Sequence, residues 1–125
     1  MKYQITIDHS KKLIYYKHGG IIELSEIGEA WKEFTQLTEF SQHKYNIFAD
    51  YRNSKFNFTV KDFDTIRTFL YSLKDKLIGR KQSIIVDNPY NTAISMLFET
   101  ELSEKIGFSV KVFSTEEAAT EWATI

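Results

Sequence analysis

Residues 48–63 read FADYRNSKFNFTVKDF. The opening residues end an apolar strand that runs out at Ala49-Asp50, the middle is a polar loop, and a helix opens at Thr59. Thr59 and Asp62 stand at capping-box spacing, with the shorter Asp in place of Glu. Strand, loop and helix in that order form a βα unit, and the rest of the chain repeats it.

Downstream, Phe63, Ile66, Leu70, Leu73 and Leu77 recur at helical spacing, and Gly79 stands where a left-handed C-cap is wanted. SIIVDN (83–88) is the next strand. Pro89 then opens a helix carrying Ile94, Leu97 and Phe98, which stops near Gly107. FSVKVF (108–113) alternates as an edge strand does. Ser114 and Glu117 form a second capping box, opening a short last helix with Ala118 and Trp122 on one side.

Upstream, YNIFAD (45–50) is apolar on both faces and therefore central. Tyr3, Ile5 and Ile7 alternate with polar residues, HSKK (9–12) is a turn, and LIYYKH (13–18) is a second strand closed by Gly19-Gly20. Ser25 caps a helix whose Ile27, Trp31, Phe34 and Leu37 share one side. The order β-β-α-β-α-β-α-β-α predicts an α/β fold. Its sheet is mixed and mostly parallel, with five strands, four helices and an antiparallel first strand. No linker divides it, so residues 1–125 read as a single domain.

Sixteen basic and seventeen acidic residues leave a net charge of −1, too balanced to hold nucleic acid or an anionic membrane. The absence of cysteine excludes disulfides and thiolate chemistry. No apolar signal core opens the chain and no run reaches membrane-spanning length, so a soluble cytoplasmic domain is expected. The edge strands leave a monomer or a homodimer open.

This order, the size and the ending VKVFSTEEAATEWA (110–123) resemble the SpoIIAA-like family, relatives of the STAS domains that include anti-sigma-factor antagonists. The resemblance spans Tyr3 to Ala123 and implies a βα superhelix on a mixed sheet. Regulatory STAS members carry Asp-Ser-Ser-Gly or a close variant at the start of the helix after the central strand. The matching place here is Asn57-Phe58-Thr59-Val60, which keeps only the Thr59 hydroxyl. A phosphate on Thr59 would suit a helix N-terminus, but a capping Thr needs no further role. The resemblance therefore implies the fold without its phospho-switch.

Ligands of open α/β sheets favour the edge where parallel strands end. That edge collects Asp50 and Arg52 from one strand end and Asp87, Asn88 and Tyr90 from the next, a potential polar pocket with an aromatic wall. These residue types also suit an Asp50–Arg52 pair and a turn and cap before Pro89. His9, His18 and His43 show no metal-ligand spacing and read as solvated loop residues. Lys74, Lys76, Arg80 and Lys81 read as a solvated face at a helix C-terminus. No nucleophile elbow, P-loop or dinucleotide fingerprint occurs, so no catalytic residue, metal or cofactor is expected.

The aromatic share of 15% is high. Tyr15 and Tyr16 must point to opposite sheet faces. Phe56 and Phe58, in the polar loop, have no helix face to share, so they mark a recognition surface unless they thicken the core. The expected function is a non-catalytic protein-interaction or regulatory module acting near the Asp50–Thr59 loop. The alternative is a binder or carrier of a small apolar or lipid-like ligand, since the wider superfamily of the resemblance includes CRAL-TRIO-type lipid carriers.

Overall fold

Alternating side chains build a hairpin first: β1 (Tyr3–Asp8) runs antiparallel to β2 (Leu13–His18). Three parallel strands follow: β4 (Asn46–Asp50), β6 (Lys81–Ile85) and β7 (Ser109–Phe113). The five-stranded order is β1-β2-β4-β6-β7, so YNIFAD does supply the centre and FSVKVF an edge. Two short strands that the sequence reading lacked, β3 (Gly20–Ile22) and β5 (Ser54–Phe56), pair parallel as a second small sheet. The structure is a computed structural model describing residues 3–125.

Six helices replace the expected four: α1 (Leu24–Gln36), α2 (Thr38–Ser41), α3 (Phe63–Tyr71), α4 (Lys74–Leu77), α5 (Pro89–Ile106) and α6 (Glu116–Thr124). The long helix read from Thr59 is interrupted twice. Thr59 caps a 3-10 turn over Val60–Asp62, with the Thr59 N–H donating to Asp62 Oδ2 at 2.9 Å, and α3 starts only at Phe63. At Ser72 the backbone N–H is shared among preceding carbonyls, and Leu73 bonds three residues back to Leu70. This tighter winding re-aims the last turn, and Leu77 is wholly buried.

Two caps also move. Glu23, not Ser25, caps α1 through a reciprocal box with Glu26, and Thr115, not Ser114, caps α6 by accepting from the Ala118 N–H. In each case the side chain of a neighbouring residue accepts from the free N–H groups of the first turn. Asn88 and Pro89 open α5 as read, and Gly107 ends it at φ 75°, a conformation that disfavours any side chain.

Helices cover both sheet faces unequally. Over one face, Tyr16, Ile47, Ala49, Ile84 and Val110 of the sheet join Trp31, Phe34, Ile66, Leu70 and Leu102 in the principal core. On the other face α6 packs across β4, β6 and β7, where Phe48, Ile85 and Ala119 form a smaller core with Tyr15 and Phe113. Tyr15 and Tyr16 thus diverge as the pleat requires. Each fully buried aromatic or aliphatic side chain contributes roughly 1.5–3 kcal/mol before entropy is counted, so most stability resides in the first face.

Candidate functional site: strand tips, buried rings and an apolar groove

The tips of β4 and β6 do lie side by side, with Asp50 opposite Ile85 in register. Arg52 closes on Asp50 with two side-chain bonds, Nε to Oδ1 at 3.0 Å and Nη2 to Oδ2 at 2.7 Å. Burial alone would raise the Asp50 carboxyl, but these bonds and the Arg52 backbone N–H hold it below the ordinary carboxylate range. Arg52 also reaches Glu116 at 3.2 Å. Asp87 accepts from the Asn53 N–H at 3.0 Å. The Asn88 Oδ1 caps the Asn91 N–H at 2.9 Å while its Nδ2 donates to Ser54 O at 3.0 Å. Tyr90 donates to Phe58 O at 2.6 Å. Each of these side chains fastens its own turn or the 51–58 segment, so Asp87, Asn88 and Tyr90 do not join Asp50 and Arg52 around one focus.

Asn91, which the sequence reading passed over, is the centre of that fastening. It is completely buried; its Oδ1 accepts from the Phe56 N–H at 3.0 Å and its Nδ2 donates to Ser54 O at 3.1 Å. Its signal was an amide on the same helical stripe as Ile94, Phe98, Leu102 and Ile106, where an apolar residue is expected.

Phe56 and Phe58 do not form a surface. They are 3% and 4% exposed, stacked at 4.9 Å, with Tyr51 edge-on to Phe56 at 5.0 Å. The polar letters around them hid a short strand: β5 pairs with β3, so Lys55 faces out and Phe56 faces in. Thr59 itself is exposed.

Two further expectations are corrected. His18 is buried rather than solvated, its ring 5.6 Å from Tyr3 and 5.7 Å from Tyr16, because the strand continues through it. Arg80 is buried too. Its guanidinium lies 4.1 Å from the Phe40 ring centre and donates to the carbonyls of Lys76 and Tyr45. Burial pushes its pKa down to about 10. Among the described residues, no group of three or more His, Asp or Glu side chains could hold a metal ion.

The most ligand-like feature is an apolar groove of about 530 Å³ between α1 and α3. Leu24, Ile27, Trp31, Ile66, Phe69 and Leu70 line it, with Glu29 and Lys32 among its polar residues. The groove is open at Gly28, where an added Cβ would meet nothing within 4 Å. A glycine on the apolar flank of a helix otherwise costs stability, and that was the sequence signal for the groove. Beneath it lies a void of about 40 Å³ between the helices and β6–β7.

No family model and no curated protein matches this sequence. Among solved structures, an uncharacterised protein of the DUF3478 family with a SpoIIAA-like fold, from Shewanella loihica PV-4, superposes with a TM-score of 0.59. The match is 15% identical and covers 97% of this chain and 93% of that one. The chain has a SpoIIAA-like fold. In this fold Thr59 caps the 3-10 turn that leads from the segment after the central strand into α3, and no helix among the described residues is long and apolar enough to cross a membrane.

Proposed function

We propose that this SpoIIAA-like protein is a non-catalytic binding module for a small apolar or lipid-like molecule held between α1 and α3. One observation carries the reading: a groove of about 530 Å³, predominantly apolar, on the helical face. Ligand pockets fall in the range of about 300–1,000 Å³ and are lined mainly by apolar side chains with a few polar groups. Ser25, Glu29, Lys32 and Thr65 are the few polar groups in that lining, the pattern of a binding groove.

Gly28→Phe tests it by filling the groove from an open position. The variant should keep its far-UV circular dichroism and lose a ligand that co-purifies with the parent in native mass spectrometry. A parent that is repeatedly empty, and that takes up no added alkyl chain, would rule the reading out.

A regulatory or protein-interaction role rests on different ground: Val60 and Tyr90, 55% and 40% exposed, flank the exposed Thr59. Loss of captured partners in Val60→Ser/Tyr90→Ser would favour that second reading, and unchanged capture would end it.

A further inference from the structure

We propose that Ser95 and Gln82 form an uncharged hydrogen-bonding anchor at the inner end of the groove, selecting an apolar chain that ends in a neutral hydroxyl or carbonyl group. The inference rests on the groove reading and specifies its occupant. Hydroxyls inside helices usually donate back to the carbonyl one turn earlier. In α5, Thr92 does so to Asn88 at 2.7 Å and Thr100 to Met96 at 3.4 Å. Ser95, between them, does not: it is completely buried and its Oγ has no partner among the described residues. A buried hydroxyl left in that state costs roughly 1–3 kcal/mol.

Ser95 lines the 40 Å³ void together with Gln82, which comes from β6 and is 5% exposed. Apart from these two and Tyr51, the lining is apolar. Ile27, Trp31, Ile66 and Leu70 line both the void and the groove, so these four side chains are the wall that a chain in the groove parts to reach Ser95. The charge of the incoming end is also constrained. No Lys, Arg or His lines the void, so a carboxylate drawn inside would lose its hydration with no cation in return. Such a group would stay at the groove, beside Lys32. A neutral donor or acceptor finds a matching hydroxyl and amide.

The probes are decan-1-ol and 1-chlorodecane, similar chains of which only the first hydrogen-bonds strongly. The protein has two tryptophans, so Trp122→Phe leaves Trp31, at the junction of groove and void, as sole reporter by fluorescence titration. In that background Ser95→Ala should weaken decan-1-ol about fivefold, the worth of one net hydrogen bond, and leave 1-chlorodecane within about twofold. Gln82→Met should show the same selectivity and serves if Ser95→Ala loses its native circular dichroism. Binding of both probes with equal or no change in the variants overturns the anchor, with water alone serving the void, and leaves the groove reading standing. Failure of both probes to bind the parent overturns the groove reading and the anchor with it.

Discussion

The two faces of the sheet use similar strands for different ends. The face under α1, α3 and α5 buries stacked and edge-on rings, a void and an apolar groove. The face under α6 is covered over β4, β6 and β7 only. Beside α6, Gln4, Thr6, Tyr15, Lys17, Phe48, Asp50, Arg52 and Glu116 line a hollow of about 240 Å³. Arg52 is already paired there with Asp50 and with Glu116, so those three groups have little left for an incoming ion. Capacity to take up a guest therefore belongs to the face whose surplus is apolar surface rather than charge.

Four substitutions would break or sharpen that contrast. Phe56→Ala should have the largest effect, a loss of about 3–5 kcal/mol in urea unfolding. A loss below about 1 kcal/mol would mean the ring is not part of the principal core. Asn91→Ala leaves the buried Phe56 N–H without its acceptor, and about 1–3 kcal/mol should go, together with faster hydrogen exchange at Phe56. Slow exchange retained there would show that Asn91 does not fasten the segment.

On the other face the effects shrink. Arg52 is more than a third exposed, so solvent screens its pair with Asp50, and Asp50→Asn should lose only about 1 kcal/mol at pH 7. The sign follows from the lowered pKa of Asp50. Its stabilisation is present above the unfolded aspartate value of about 3.9 and disappears as pH falls through the folded value. Asp50→Asn should therefore flatten the acid limb of the stability profile below about pH 4. An unchanged limb would mean other carboxylates set it. Ser83, buried beneath α6 with an Oγ that has no partner among the described residues, should change least: Ser83→Ala should lie within about 0.5 kcal/mol of the parent, or be slightly more stable. A loss above 1 kcal/mol would reveal a bonded hydroxyl.

Much of the fold was legible in the sequence because period and position agree along the main strands. The alternation in YQITID, the unbroken apolar run in YNIFAD and the Asn88-Pro89 start each describe local physics that tertiary packing did not override. Phe56 and Phe58 were illegible because a three-residue strand is too short for alternation to register, and its pairing with β3 is a long-range event. The break at Ser72–Leu73 escaped for the opposite reason: its leucines keep helical spacing on both sides of the interruption. The Asp50–Arg52 pair and the Asn88 cap could be read from turn chemistry, whereas the Asp87 bond to the Asn53 N–H joins segments distant in sequence and could not. The groove could not, since it exists only where two helices distant in sequence diverge, and Gly28 alone hinted at it.

The void beneath the groove has a mechanical consequence. Unfolding abolishes internal empty space, so compression favours the unfolded chain in proportion to that space. Hydrostatic pressure should thus act on this protein in part through the layer between α1, α3 and α5 on one side and β6–β7 on the other. A guest occupying that layer would stiffen the domain against squeezing more than its heat resistance alone would suggest.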